Sequence, residues 1–447
     1  MNTGQYVLSF NGEIYNYKNL RKDTEDKWAY LTESDTEVII GLYHKYGIKG
    51  WEKLQGMFAF IFRDKDKEIT YFLRDPVGIK PLYYCYYDSK MIVGSKISTI
   101  LVLHSAKLDY RGVNDILALG YPRTPIYQNV REFEPGYLYD NRMNKKKIDF
   151  EIDKKKTIKD AIEEMFITTD RPIGITLSGG VDSSTIALIC SKVSKKPLET
   201  FTIGFSKNDD DVINARKVAK LIKSNHHEII VSEKVYEENL KEGIEKLESP
   251  FDLGSVAVTN LLAKEISKTN VKVILIGEGA DEVFAGYRRY GEKSGLRTAE
   301  LWEWYKTRIT KNNFEDRKKI LGSDNVCSVN IENSYIGNNA NCILWQDFKN
   351  ELLYYHLKRI DHIVSDHGIE ARVPYLDFSI VMNAFDKSFS SKINSRNNKL
   401  LLRDFALAEG VPEEIAFRSK HAFKRKDFDA SKHLVKLWED WRKKNNI

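Results

Sequence analysis

Two short stretches of the chain place glycines, hydroxyls and carboxylates at spacings suited to holding phosphate. The first reads Ser178-Gly179-Gly180-Val181-Asp182-Ser183-Ser184. Ile173, Ile175 and Leu177 alternate as a strand before it, and Ser183–Val193 reads as a helix after it. Paired glycines let the backbone approach an anion closely, and a helix N-terminus offers free N–H groups and the positive end of its dipole. Hydroxyls of Ser178, Ser183 and Ser184 add donors. Asp182 has the wrong charge for phosphate unless a cation lies between them, which implies Mg²⁺. No Gly-Lys-Ser/Thr follows, so this is not a Walker A loop.

The second stretch reads Gly277-Glu278-Gly279-Ala280-Asp281-Glu282 and follows the apolar run Val271–Ile276. Three carboxylates beside two glycines repel one another unless a metal or a reacting amine offsets the charge. Asp182 and Asp281 are the expected Mg²⁺ pair. Glu282 serves equally well as the acidic first turn of a helix. His226-His227 invites a metal reading, but adjacent strand residues point to opposite faces and do not share one ion.

The surrounding pattern supplies elements to position these loops. Strands at Ile173–Leu177, Leu198–Phe205, Glu228–Val231 and Val271–Ile276 alternate with helical stripes at Ser183–Val193, Val212–Ile222 and Val256–Ile266. That alternation predicts a parallel sheet covered on both faces, and both loops then fall at its carboxyl edge, where ligands bind. Everything after Tyr287 reads as mostly helical. The first 105 residues read differently. Tyr6–Phe10 is strand-like and runs into Asn11-Gly12, a turn signal. Ser34-Asp35-Thr36-Glu37 has capping-box spacing ahead of the apolar stretch Val38–Tyr43. Short apolar segments at Phe58–Phe62, Tyr71–Leu73, Pro81–Tyr87 and Met91–Val93 predict an antiparallel meander. The lysine-rich stretch 141–157 marks the boundary, giving domains 1–140 and 150–447.

Composition sets the outer limits. At 447 residues, 42% hydrophobic and 30% charged, the chain has room for two or three cores. No run of eighteen apolar residues appears, so no membrane span is expected. No basic and apolar leader opens the sequence, and Cys85, Cys190, Cys327 and Cys342 lack metal spacing, so a cytoplasmic, reduced protein is expected. Arg418–Ile447 holds ten basic against four acidic residues, which accounts for the net charge of +6. A solvated terminal helix is the expectation there, rather than a nucleic-acid partner.

Taken together these motifs carry a resemblance. Ser178–Ser184 is similar to the pyrophosphate loop of N-type ATP pyrophosphatases. GEGADEVFAGY (Gly277–Tyr287) and EARVPYLD (Glu370–Asp377) resemble the glutamine-hydrolysing asparagine synthetases of the B type. NGEIYNY (Asn11–Tyr17) and RDPVGIKPLYY (Arg74–Tyr84) resemble that family's glutaminase domain. The likeness spans nearly the whole chain, with five motifs in the family's order. It implies a truncated Ntn-type glutaminase sandwich (α+β) followed by an ATP pyrophosphatase domain, a doubly wound α/β sheet with a helical C-terminal part.

The resemblance also implies the chemistry. Aspartate is activated by ATP to an acyl-adenylate with release of pyrophosphate, and ammonia displaces AMP. Leu177, Ser178, Gly179, Gly180, Asp182, Ser183, Ser184 and Gly277 would line the nucleotide site, with Ile203 against adenine. Lys399, by type an ordinary surface lysine, matches a phosphate-neutralising position in Lys399-Leu400-Leu401-Leu402-Arg403. Glu278 matches a catalytic acid or base, and Asp361 matches a nearby position more loosely. Relatives that form β-lactam rings carry tyrosine at the Glu278 position, so glutamate favours an intermolecular amine.

In the glutaminase half the family uses a cysteine directly after the initiator methionine. Here that position is Asn2, and the chain begins several dozen residues into the family pattern. Asn11 and Gly12 resemble the oxyanion pair, and Asp35 resembles a glutamine ligand. Without the cysteine, glutamine hydrolysis by this chain alone is not expected. A gene fragment, a separate polypeptide that supplies the front piece, and use of free ammonia remain open, as does a homodimer. Two other functions also remain: amidation of another carboxylate, on a surface sugar or a secondary metabolite, and a non-catalytic partner role.

Overall fold

A computed structural model describes residues 1–102, 107–249, 251, 254–291, 298–323, 325–329 and 340–419. The basic stretch from residue 420 onward lies outside them. The chain separates into two compact units: Met1–Lys107, Tyr127–Lys156 and Asp377–Met382 form the first, and Leu108–Ile126, Thr157–Leu376 and Asn383–Ile447 the second.

In the first unit, β1 (Tyr6–Ile14), β2 (Gly56–Asp64), β3 (Ile69–Arg74), β7 (Tyr137–Asp140) and β8 (Lys145–Lys147) pair antiparallel in the order β1-β2-β3-β7-β8. A second sheet, ordered β5-β4-β6, holds β4 (Tyr83–Tyr87), β5 (Lys90–Gly94) and β6 (Arg131–Glu132). Alternation along β2 divides its side chains between two layers. Phe58, Phe60 and Phe62 pack under the helix Glu37–Tyr46, with Val38, Leu42, Tyr43 and Trp51. Ala59 and Ile61 face the other way and meet the second sheet through Leu82, Tyr84, Met91 and Phe133. The expected meander is therefore split: β2 and β3 belong to one sheet, β4 and β5 to the other.

Two local expectations fail here for visible reasons. Asn11-Gly12 is no turn, because β1 runs through it and Gly12 pairs with Phe58. The glycine is required since a Cβ there would lie 2.0 Å from the Met57 carbonyl oxygen, at φ +146°. Nor does Ser34–Glu37 form a capping box. Glu37 turns its carboxylate to Trp28 Nε1, the Leu31 and Thr32 backbone N–H groups and the Thr32 hydroxyl, pinning the preceding loop.

In the second unit five parallel strands run in the order β11-β10-β9-β12-β13: β9 (Ile173–Thr176), β10 (Glu199–Gly204), β11 (Asn225–Ile230), β12 (Val273–Leu275) and β13 (Glu370–Arg372). Phe201, Ile274 and Ala371 point into one face, covered by the helices Val256–Ser267 and Lys358–Asp366. On the opposite face Gly204 lies against Val212 of the helix Asp210–Ile222. The strand order reverses between β9 and β12, the place where a doubly wound sheet opens a crevice at its carboxyl edge. Local pattern did not disclose β13, a three-residue strand inside an otherwise helical region. Among the described residues no helix is long and apolar enough to cross a membrane.

Candidate active site

Each loop is shaped by one glycine with positive φ. Gly179 (φ +67°), three residues past β9, seats the loop on the helix Asp210–Ile222, with a Cβ position 2.4 Å from the Ala215 amide nitrogen. Gly180 then caps the helix Val181–Val193. The Ser178 amide donates to Ser183 Oγ at 3.1 Å, and the two hydroxyl oxygens lie 3.1 Å apart. Ser184 Oγ is buried without a partner. In the other loop Gly279 (φ +84°) packs on Leu376 and caps the helix Ala280–Phe284.

The loops touch. A Cβ on Gly277 would lie 3.0 Å from Asp182 Cβ and 3.4 Å from the Ser183 amide nitrogen. Behind them the EARVPYLD segment forms the wall. Tyr375 donates its hydroxyl to the Asp182 carbonyl at 2.7 Å, and Arg372, fully buried, ties β13 to the Met165 carbonyl and the Thr168 hydroxyl.

Lys399 is buried, not a surface lysine. Its ammonium stands 2.7 Å from Asp182 Oδ2 and 2.7 Å from Asp281 Oδ1. Lys399 itself takes a left-handed conformation (φ +54°) ahead of the helix Leu400–Ala408. Two carboxylates converging on one cationic nitrogen mark a point suited to a hard divalent ion, so the residues present fit Mg²⁺. Among the described residues no cluster of three or more His, Cys, Asp or Glu forms a metal cage.

Glu278 lies beside two cations that sequence reasoning missed. His356 Nδ1 is 2.7 Å from Glu278 Oε1, and Arg359 Nη2 donates to Oε2 at 2.9 Å. Burial alone would lower the His356 pKa, but the Glu278, Glu351 and Glu282 carboxylates outweigh it and push it up to about 10. Burial raises Glu282 to about 7 against the pull of His356, and Tyr287 donates to it. Arg289 pairs with Asp347 at 2.7 Å and Glu351 at 3.4 Å. Asp361 stands two residues past Arg359, about 200° round the same helix. His356 and Arg359 are the residues seen against Glu278.

Ile203 is half-buried near the end of β10, next to the first loop. Arg418, also missed, bonds the Ser178 carbonyl and pairs with Asp211. His226 and His227 do point apart: one meets Thr200 Oγ1, the other stacks on Phe201 and pairs with Glu199.

In the first unit Asp35 accepts the Ile14 amide at 2.9 Å, which draws it to the strand that bears Asn11 and Gly12. Burial raises its pKa. Asn11 Nδ2 donates to Ser95 Oγ at 3.3 Å. RDPVGIKPLYY forms a knot in which the buried Asp75 carboxylate accepts five backbone N–H groups, those of Phe58, Val77, Gly78, Ile79 and Lys80. All four cysteines are unpaired, and Cys85 is buried among Tyr83, Ile97, Ile100 and Val130.

The sheet order, the paired loops and the sandwich of the first unit define a protein of two parts, an antiparallel two-sheet unit and a doubly wound parallel-sheet unit whose loops meet at its carboxyl edge. The asparagine synthase family profile matches residues 154–445, and that of the glutamine amidotransferase domain matches residues 1–151. The chain belongs to the asparagine synthase family. A probable glutamine-hydrolysing asparagine synthetase of Schizosaccharomyces pombe is 27% identical over 94% of this chain and 72% of its own length. Asparagine synthetase 1 of Bacillus subtilis is 32% identical over 66% of this chain and 50% of its own length. The human asparagine synthetase is 29% identical over 93% of this chain and 71% of its own.

Proposed function

We propose that the chain makes asparagine from aspartate and ATP through an acyl-adenylate, releasing pyrophosphate and then AMP. The observation that supports this most is the closure of Gly277 on Asp182, with Lys399 held between Asp182 and Asp281. A carboxylate resists attack because oxide is a poor leaving group, and adenylation replaces it with a good one. Backbone N–H groups and hydroxyls of Ser178–Ser184 would cradle the pyrophosphate, with Ile203 against adenine. Asp182 and Asp281 would hold Mg²⁺, which when bound offsets charge on the phosphates. Lys399 then moves its ammonium from the carboxylates to the phosphate oxygens. Glu278 takes the proton from the attacking ammonia.

Nitrogen comes from ammonia, or from glutamine when a separate polypeptide supplies the cysteine nucleophile. The first unit's cysteine, Cys85, is buried with its thiol pKa raised by burial, the reverse of an activated thiolate. The test supplies the protein with aspartate, Mg²⁺ and ATP, and compares ammonium with glutamine as donor. Asparagine is expected from ammonium, and no glutamate from glutamine. Amide formed from another acid but not from aspartate would favour the second reading, a relative acting on a different carboxylate.

A further inference from the structure

His356 sits at a place in its helix where the backbone changes register. The chain runs as α-helix over Asn341–Asp347, widens to a π-helix over Phe348–Leu357, and returns to α-helix over Lys358–Asp366. In an α-helix, residues five apart lie about 140° apart round the axis. In a π-helix the turn closes between residues i and i+5, which brings such residues much nearer the same side of the axis. Glu351 and His356 are five apart, and His356 Nε2 lies 3.6 Å from Glu351 Oε1. The wide turn therefore lets Glu351 brace the imidazole from behind while Nδ1 reaches Glu278 at 2.7 Å. Ten residues of π-helix is a costly, rarely used geometry, and such segments collect at functional sites.

From this geometry we propose that His356, aimed by Glu351 through the π-helical turn, is a positioning residue for Glu278 in the amide-forming step. It holds the Glu278 carboxylate in one orientation while Arg359 holds the other oxygen. Adenylation occurs at the phosphate loop and makes no use of Glu278, so the two half-reactions should respond differently to loss of the imidazole. The inference deepens the role proposed above for Glu278 and rests on it.

The test is His356→Gln, read in both half-reactions. Aspartate-dependent ATP–pyrophosphate exchange reports adenylation, and asparagine formation from ammonium reports the second step. Exchange is expected within about twofold of the unaltered protein. The kcat for asparagine should fall about 10- to 100-fold, the usual loss when a partner that orients a reacting group is removed, while KM for aspartate moves less than about twofold. Equal losses in both half-reactions, or an unchanged kcat, would overturn the assignment. Should His356→Gln fail to fold, Glu351→Gln removes the brace and weakens a 3.4 Å pairing with Arg289, which keeps Asp347 at 2.7 Å; it should lower asparagine formation about fivefold with exchange retained. An unchanged rate in that variant overturns the proposal as well. Glu278→Gln separates the two ideas: full amide formation in that variant sinks the role of Glu278 itself, whatever His356 does.

Discussion

Lys399 stands where a divalent ion and a nucleotide would meet, and its partners make its removal informative. Without the ammonium, Asp182 and Asp281 face each other uncompensated in a mostly buried site. Breaking such an arrangement costs about 3 kcal/mol. Lys399→Ala should therefore melt at a lower temperature in metal-free buffer. Mg²⁺ at ten times its Kd should restore about 1.4 kcal/mol; a variant that Mg²⁺ does not stabilise would remove the two aspartates from the metal site. Two other buried bases titrate in opposite directions. The folded-state pKa of His356 is raised to about 10, so its contribution is fully present below the unfolded value near 6.5 and fades as pH climbs to 10. Burial lowers Lys392 to about 7, so its penalty is largest at pH 7 and fades toward the unfolded value near 10.5. In urea melts from pH 7 to 9.5, the stability of His356→Gln relative to the unaltered protein should rise with pH. That of Lys392→Met should be highest at pH 7 and fall. Parallel curves would contradict both assignments. Asp182, Asp281 and Glu278 were legible as a set because acids beside glycines at strand ends have few other uses. His356 was not, since its five-residue spacing from Glu351 matches no α-helical face.

At the scale of elements, what matters is the adjacency of β9 and β12 and the glycines that let their loops meet. Gly277→Ala would bring a methyl to 3.0 Å from Asp182 Cβ and push the loops apart by a few tenths of an ångström. Misplacement on that scale costs about tenfold in rate. Exchange should drop by roughly that factor while the urea midpoint barely moves; unimpaired exchange would mean the contact is incidental. The parallel sheet was readable because buried strands and helical stripes alternate in the sequence. The antiparallel half misled at Asn11-Gly12, where glycine answers the close approach of the Met57 carbonyl and not a turn. It misled again at Glu37, whose side chain is taken by Trp28, Leu31 and Thr32. Both errors have one cause: the deciding partner belongs to another segment, so no local pattern reveals it.

Over the whole chain, the two functional loops are about 100 residues apart in sequence and meet because the strand order reverses between them. Nothing local foretells that Leu108–Ile126 folds with the second unit, where the Arg317 guanidinium reaches Asn114 Oδ1 at 3.1 Å. The motifs carried the family because each marks a constrained piece of backbone: the Asp75 knot, the Gly179 turn, the Arg372 anchor. The measurement that bears most directly on the ligase reading is aspartate- and Mg²⁺-dependent exchange of labelled pyrophosphate into ATP, on the unaltered protein beside Asp182→Ala and Asp281→Ala. Exchange that requires aspartate and disappears in both variants is the predicted result. Exchange without aspartate, or its survival in either variant, would contradict an adenylating site built on these two loops.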